Sequence, residues 1–147
     1  MLEYLTFTEA FTCSEEYEHY PLLVREALRH PQKCCYYPDH SGGIYFYLFH
    51  GNIMWRRGYT HSLLPAPVKI RAITITDSGL LYAIGTEGSI FRYQAWDQKL
   101  DEYWRGLYGS QVGFRTVGTC LVVMDVNGFQ RNIKEDSDLS TNLYSYY

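Results

Sequence analysis

The chain has no long hydrophobic segment and no strong charge of one sign. Its longest apolar run, Ile44 to Phe49, is far too short to span a bilayer. A formal net charge of −3 over 147 residues gives no overall attraction to phosphate backbones or anionic membranes. Residues 1–12 contain Glu3 and Glu9 and have neither the basic nor the apolar region of a secretory signal. We therefore expect a cytoplasmic protein with no membrane partner and no nucleic-acid partner.

Cysteine is also sparse, which argues against a disulfide scaffold. Four cysteines in 147 residues are too few for such a fold, and we expect all four to be reduced thiols. Zinc is the alternative, because one loop contains ligand types that zinc prefers, at His30, Cys34, Cys35 and His40. Adjacent residues of a strand point to opposite faces, so Cys34 and Cys35 are poorly placed to bind one ion. We expect no metal and no cofactor.

No pattern typical of catalysis stands out. Asp39, His40 and Ser41 are consecutive, whereas a catalytic triad needs roles that converge in space. The glycine pairs Gly42-Gly43 and Gly85-x-x-Gly88 lie in hairpins and not ahead of a helix, so they do not form a phosphate-binding loop. The sequence favours a non-enzymatic protein.

Three segments share one β-hairpin pattern, and this repeat is the strongest signal in the chain. Each has a glycine, an apolar strand, a glycine turn and a second strand that reaches an arginine, over residues 43–56, 79–92 and 118–131. The turn glycines Gly51, Gly88 and Gly128 lie 37 and 40 residues apart. A period near 40 is typical of stacked β units such as propeller blades.

The middle unit carries the clearest resemblance to a known architecture. The run Ala72-Ile-Thr-Ile-Thr-Asp-Ser-Gly-Leu-Leu-Tyr-Ala-Ile-Gly-Thr-Glu-Gly-Ser-Ile-Phe resembles a β-propeller blade of the quinoprotein-like or WD40-like kind, although Trp96-Asp97 is the sole Trp-Asp pair. Propellers usually have about four to eight blades. Three units therefore leave two arrangements open. The chain forms an open or curled antiparallel sheet or partial barrel, which we favour, or several protomers complete a ring together.

These patterns predict a mainly β protein with a single domain over residues 1–147. We expect one N-terminal helix at about 15–30, which would pack on a sheet through Leu22, Leu23 and Ala27. The antiparallel sheet is built from consecutive hairpin units at about 43–57, 68–93 and 111–133. Residues 62–67 are expected to form a connector, and residues 95–104 a short helix or an ordered loop.

Aromatic residues make up 17% of the chain, with 15 tyrosines, and several adjoin arginines. A tyrosine-rich β core is the simplest interpretation, but arginine and rigid rings together also favour binding surfaces. The candidate binding residues are Trp55, Arg56, Arg57, Arg92, Tyr93, Trp104 and Arg105. If the hairpins are equivalent, Arg56 and Arg92 could converge on one anionic patch.

We expect a non-enzymatic protein–protein interaction module, of the kind found among small inhibitors, immunity proteins and host-interacting phage proteins. Its partner is another protein, and a homo-oligomer is a further interpretation. The alternative function is a small-molecule or nucleotide-binding protein, with an enzyme as one form of it, that uses an arginine and aromatic pocket. An exposed patch that contains Trp55, Trp104 and neighbouring tyrosines would favour the interaction module.

Overall fold

Each β unit of the chain forms an antiparallel sheet of its own. The computed structural model describes residues 21–39, 42–104, 111–117 and 119–134. Within them, helix α1 (Leu22–Arg29) precedes three sheets. The first sheet contains β1 (Cys34–Tyr37), β2 (Ile44–Phe49), β3 (Asn52–Arg57) and β4 (Thr60–Leu64). The second contains β5 (Ile70–Ile75), β6 (Leu80–Gly85), β7 (Ile90–Gln94) and β8 (Lys99–Trp104), and the third contains β9 (Gln111–Val117), β10 (Cys120–Asp125) and β11 (Gln130–Lys134).

The three sheets are stacked face to face, and in each of them neighbouring strands are consecutive in the chain. Strand β6 shows why they stack, because its alternating side chains are apolar on both faces. Leu81 and Ala83 contribute to the core shared with the first sheet, where Phe46 is buried. Tyr82 and Ile84 contribute to the core shared with the third sheet. The mainly β prediction is confirmed, and the sheets are separate, blade-like units and do not form one curled sheet.

Helix α1 packs on the β9 side of the outer face of the third sheet, the face that points away from the second sheet. Val24 and Leu28 are buried against this sheet. Gly113 lets the helix approach, since a Cβ at that position would lie 2.8 Å from the Cβ of Ala27. Leu22 and Leu23 are exposed, so the predicted helix face was wrong in these two residues. Of the predicted helix at 15–30, residues 15–20 lie outside the described part of the chain.

The fourth strands of the first two sheets were not predicted. Part of the expected connector at 62–67 belongs to β4, and residues 99–104 form β8 after a turn at residues 95–98. Each of these strands lies at the edge of its sheet and pairs with the strand before it, β4 with β3 and β8 with β7. Four of the five β4 residues are exposed, so the strand lacks the apolar alternation on which strand prediction depends.

The first strands of the three sheets lie next to one another. Strand β5 contacts both β1 and β9, and the Ile73 amide donates a hydrogen bond to the Gln32 carbonyl ahead of β1. Among the described residues, no helix has the length and apolar character needed to cross a membrane. The single domain over residues 1–147 stays a prediction.

Candidate binding face on the first sheet

The two faces of the first sheet differ in composition and in exposure. Along β2, Ile44, Phe46 and Leu48 point toward the second sheet and contribute to the core. Tyr45 and Tyr47 alternate with them and therefore point outward. No described residue of another sheet packs over this outward face. We call it the tyrosine face and define it as Tyr36, Tyr45, Tyr47, Arg56, Tyr59 and His61.

Strand register brings the tyrosine face together from four strands. Tyr36 of β1 pairs with Tyr45 of β2, Tyr45 pairs with Arg56 of β3, and Arg56 pairs with His61 of β4. These four side chains form one row across the sheet, because residues paired in register share a face. Tyr47 lies in the next row, and Tyr59 in the β3–β4 turn is 100% exposed.

A shallow groove of about 490 Å³ follows this row. Specific contacts orient two of its lining residues, Tyr36 and Arg56. The Tyr36 hydroxyl donates a 2.9 Å hydrogen bond to the Gly42 carbonyl. The Tyr36 ring lies against Gly43, where no side chain intervenes, and its centroid is 5.8 Å from that of Tyr45 with the planes tilted by 54°. At the other end of the groove, Arg56 Nε donates a 3.0 Å hydrogen bond to the Gly58 carbonyl.

The predicted arginine cluster at Trp55-Arg56-Arg57 is divided between the two faces. Trp55 is partly buried and packs against the core between the first and second sheets. Arg57 points to the same side, and its Nη2 lies 2.6 Å from Asp39 Oδ2. Arg56 alone of the three belongs to the exposed tyrosine face. The binding roles of Trp55 and Arg57 stay predictions.

Arg92 and Tyr93 lie inside the stack of sheets. Arg92 is buried on the face of the second sheet that packs on the third, and its Nε donates a 2.7 Å hydrogen bond to Asp101 Oδ2. Tyr93 is buried on the opposite face, and its hydroxyl donates a 2.9 Å hydrogen bond to the Pro65 carbonyl. Burial disfavours the phenolate and raises the pKa of Tyr93 to about 12.

The predicted site residues are therefore not brought together at one place. The hairpins are equivalent in topology, because β3 and β7 are both third strands of their sheets. Arg56 nevertheless points away from the second sheet, whereas Arg92 points from the second sheet toward the third, so the two arginines do not converge. Trp104 ends β8, and its side chain lies outside the described part, as does Arg105.

The zinc candidates are similarly separated. Cys34 is exposed, whereas Cys35 points inward and packs against the core. Burial raises the pKa of the Cys35 thiol well above its usual range, and the neighbouring Cys34 adds to this effect. His30 follows α1, and its Nε2 lies 3.9 Å from Glu26 Oε2. His40 lies outside the described residues. Within the described ranges, no three His, Cys, Asp or Glu side chains are grouped as metal ligands would be.

Sequence reasoning missed most of the tyrosine face, although one signal for it was present. In the run Ile44-Tyr-Phe-Tyr-Leu-Phe, tyrosine occupies alternate positions with aliphatic residues or phenylalanine between them. Tyrosine is less costly to expose to solvent than an aliphatic residue or phenylalanine, because its hydroxyl can form a hydrogen bond with water. The alternation identifies two faces, but it does not show that one of them stays uncovered.

Comparison with known proteins supports the fold. No protein-family model and no curated protein matches the chain. One similar solved structure is a chain of the mitotic checkpoint complex, with a TM-score of 0.52 and 12% identity, covering 69% of this chain and 37% of that one. Another is Hsv2 of Kluyvelomyces marxianus, with a TM-score of 0.52 and 14% identity, covering 67% of this chain and 34% of that one.

These similarities confirm the resemblance to propeller blades at the level of the fold. The matched architecture is the WD40-type β-propeller. The chain spans about a third of the length of each of these two structures.

Proposed function

We propose that this protein is a non-enzymatic protein–protein interaction module that binds its partner through the tyrosine face. The observation that carries the proposal is the exposure of Tyr36, Tyr45 and Tyr59 on one face of the first sheet, beside Arg56. Tyrosine and arginine are enriched where proteins bind one another, because they provide large contact areas and directed hydrogen bonds.

The shape of the groove favours a protein partner over a small ligand. Tyr36 and Tyr45 are each about half exposed, so the groove is shallow along its length. Pockets for small molecules usually bury about 70–90% of the ligand, which a shallow groove on a sheet cannot do. A protein surface covers a wide, open face more completely. One of the similar structures is itself part of a multiprotein assembly, the mitotic checkpoint complex, which supports such a use of the fold.

The biological setting of the module is a further part of the proposal. An inhibitor, an immunity protein or a host-interacting phage protein would each need one exposed binding face and no catalytic group. The tyrosine face fits all three, and the identity of the partner distinguishes them.

Affinity capture from the native host's lysate tests the proposal with matched variants. The wild type is compared with Tyr45→Ala, on the tyrosine face, and with Leu100→Ala, on the second sheet. The two residues are exposed to the same fraction, 49% and 48%, so each variant truncates a half-exposed side chain on a sheet surface. Urea unfolding of each variant first confirms equal stability.

We expect a stoichiometric protein partner with the wild type and with Leu100→Ala, and its loss with Tyr45→Ala. A partner that all three proteins retain would place the interface elsewhere and contradict the proposal. The absence of a stoichiometric protein with all three would favour the small-molecule alternative, which screening of nucleotides by thermal shift would then examine.

A further inference from the structure

Arg56 is the permanent cation of the tyrosine face, and one hydrogen bond orients its guanidinium. Its Nε–H is used by the Gly58 carbonyl, at 3.0 Å. That bond orients the planar group but leaves the terminal Nη atoms for other contacts. No carboxylate among the described residues forms an ion pair with Arg56, in contrast to Arg57 with Asp39 and Arg92 with Asp101.

The surroundings of Arg56 contain no acidic residue of the described sheet. The outward side chains of β1 to β4 are Cys34, Tyr36, Tyr45, Tyr47, Phe49, Asn52, Met54, Arg56, His61 and Leu63. The chain as a whole is acidic, with a net charge of −3. The tyrosine face therefore differs in charge from the rest of the molecule, and charge complementarity favours a partner that is negative at this point.

We propose that the tyrosine face binds an acidic peptide segment of the partner, in which an Asp or Glu carboxylate pairs with Arg56 and the adjoining residues lie over Tyr45 and Tyr47. This inference rests on the proposed function and adds the chemistry of the partner. A guanidinium offers two parallel N–H groups to one carboxylate, which gives both energy and orientation.

The aromatic side of the groove is organised before any partner binds. Tyr36 is held by the hydrogen bond from its hydroxyl to Gly42 and by ring contact with Gly43. A ring that is already fixed loses little conformational entropy on binding. A peptide segment already loses conformational entropy when it becomes ordered on binding. A binding surface that is fixed beforehand adds little to that cost.

A second copy of the chain is a poorer occupant of this face. Two-fold packing of identical faces would bring two copies of Arg56 into the same interface with no acidic residue of the described sheet between them. Like charges brought together while losing water are unfavourable. An acidic segment would instead bring a negative charge to Arg56, and this electrostatic interaction is favourable.

The test selects peptides without assuming a sequence. A library of random short peptides displayed on phage is selected on the wild-type protein and, in parallel, on Tyr45→Ala. One enriched peptide is synthesised together with its counterpart in which Asp and Glu are replaced by Asn and Gln. Affinities are measured by fluorescence anisotropy at low and at high salt, with the wild type, Arg56→Gln, Arg56→Lys and Lys134→Gln. Lys134 is an exposed cation on the third sheet and controls for the change in net charge.

We expect Asp and Glu to be enriched by the wild type relative to Tyr45→Ala. Arg56→Gln should weaken binding of the acidic peptide about tenfold or more, the usual effect of losing a charge-assisted hydrogen bond. Arg56→Lys should restore part of the affinity, Lys134→Gln should bind as the wild type, and high salt should weaken the acidic peptide alone.

Several results would overturn the inference, and they differ from failure of the proposed function. Neutral peptides that bind in a Tyr45-dependent but Arg56-independent way would leave an interaction module without acidic selectivity. A dimer in sedimentation that Tyr45→Ala abolishes would assign the face to a second copy. If no peptide is enriched over Tyr45→Ala while the lysate partner is still captured through Tyr45, the partner is recognised by a folded surface and the acidic segment is wrong.

Discussion

The Tyr36 ring lies directly on Gly43, and no side chain larger than hydrogen fits between them. A Cβ on Gly43 would lie 2.6 Å from Tyr36 Cε1 and still closer to the hydroxyl end of the ring. The neighbouring Gly42 has a similar backbone, with φ of +95° against +89°, but a Cβ there meets open space. Comparing substitutions at Gly42 and Gly43 therefore separates the stability cost of the ring contact from the cost of backbone strain.

Alanine substitutions at these two glycines should therefore have different consequences. Both should cost about 1 kcal/mol, because L residues are strained at positive φ. Gly43→Ala should cost about 1 kcal/mol more, because the half-exposed Tyr36 ring must move and its hydroxyl loses the hydrogen bond to Gly42. Urea unfolding gives the stabilities, and the Tyr36 ring resonances in NMR report its position. Equal stabilities with an unmoved ring in both variants would show that Tyr36 does not rest on Gly43.

The adjacent thiols Cys34 and Cys35 should differ sharply in reactivity. The thiolate is the reactive form, and burial raises the pKa of Cys35 while Cys34 is exposed. With the native protein at neutral pH, a thiol reagent should label Cys34 and leave Cys35 unmodified until denaturant is added. Comparison of Cys34→Ser with Cys35→Ser by intact mass identifies the labelled residue. Rapid native labelling of Cys34→Ser at residue 35 would contradict the inward orientation of that side chain.

Tyr93 should make stability depend on pH in the alkaline range. The pKa is about 12 in the folded protein against 10.0 for an unperturbed tyrosine. Between these values the unfolded state has lost the proton that the folded state retains, so the free energy of unfolding falls as pH rises from about 10 to 12. Urea unfolding across this range measures the slope.

The control for this prediction is Tyr93→Phe. This variant should lose about 1 kcal/mol at neutral pH with the hydrogen bond to Pro65, and it should have a flatter profile above pH 10. An unchanged slope in Tyr93→Phe would assign the alkaline dependence to other groups.

Arg71 links the first strands of the second and third sheets and should be important for stability. Its Nη1 donates a 2.6 Å hydrogen bond to the Val112 carbonyl and its Nη2 donates to the Gln111 carbonyl. Burial lowers the pKa of Arg71 to about 10. Arg71→Met should cost about 3 kcal/mol because two buried carbonyls lose their donor. Arg56→Gln, an exposed arginine variant, should stay within about 0.5 kcal/mol of the wild type. Similar stabilities of the two variants in urea would argue against the link.

Helix α1 offers a matched pair of leucines for testing which face is buried. Leu28 is 0% exposed and Leu23 is 58% exposed. Leu28→Ala should cost about 2–5 kcal/mol through the cavity it leaves, whereas Leu23→Ala should cost less than about 1 kcal/mol. Thermal and urea unfolding measure both. A larger loss of stability in Leu23→Ala than in Leu28→Ala would show that the helix buries the face predicted from the sequence.

Much of the β architecture follows from local patterns in the chain. The apolar alternation around Gly51, Gly88 and Gly128 predicts the hairpins β2–β3, β6–β7 and β10–β11, each of which the structure contains. The edge strands β4 and β8 were missed, because their formation depends on pairing with a neighbour more than on their own residues. The helix was predicted at about 15–30, and the described part contains it at Leu22–Arg29, with Leu22 and Leu23 of the predicted buried face exposed.

The sequence by itself determined that this protein is built from repeated hairpins whose strands have two different faces. Alternation along a strand separates Tyr45 and Tyr47 from Phe46 whatever the rest of the chain does. Only the tertiary structure decided which faces are covered, because stacking joins residues far apart in sequence. It buried Arg92 and Tyr93 between sheets and paired Arg57 with Asp39. It also left Arg56 with the tyrosines on the outer face of the first sheet, over which no other described sheet or helix packs.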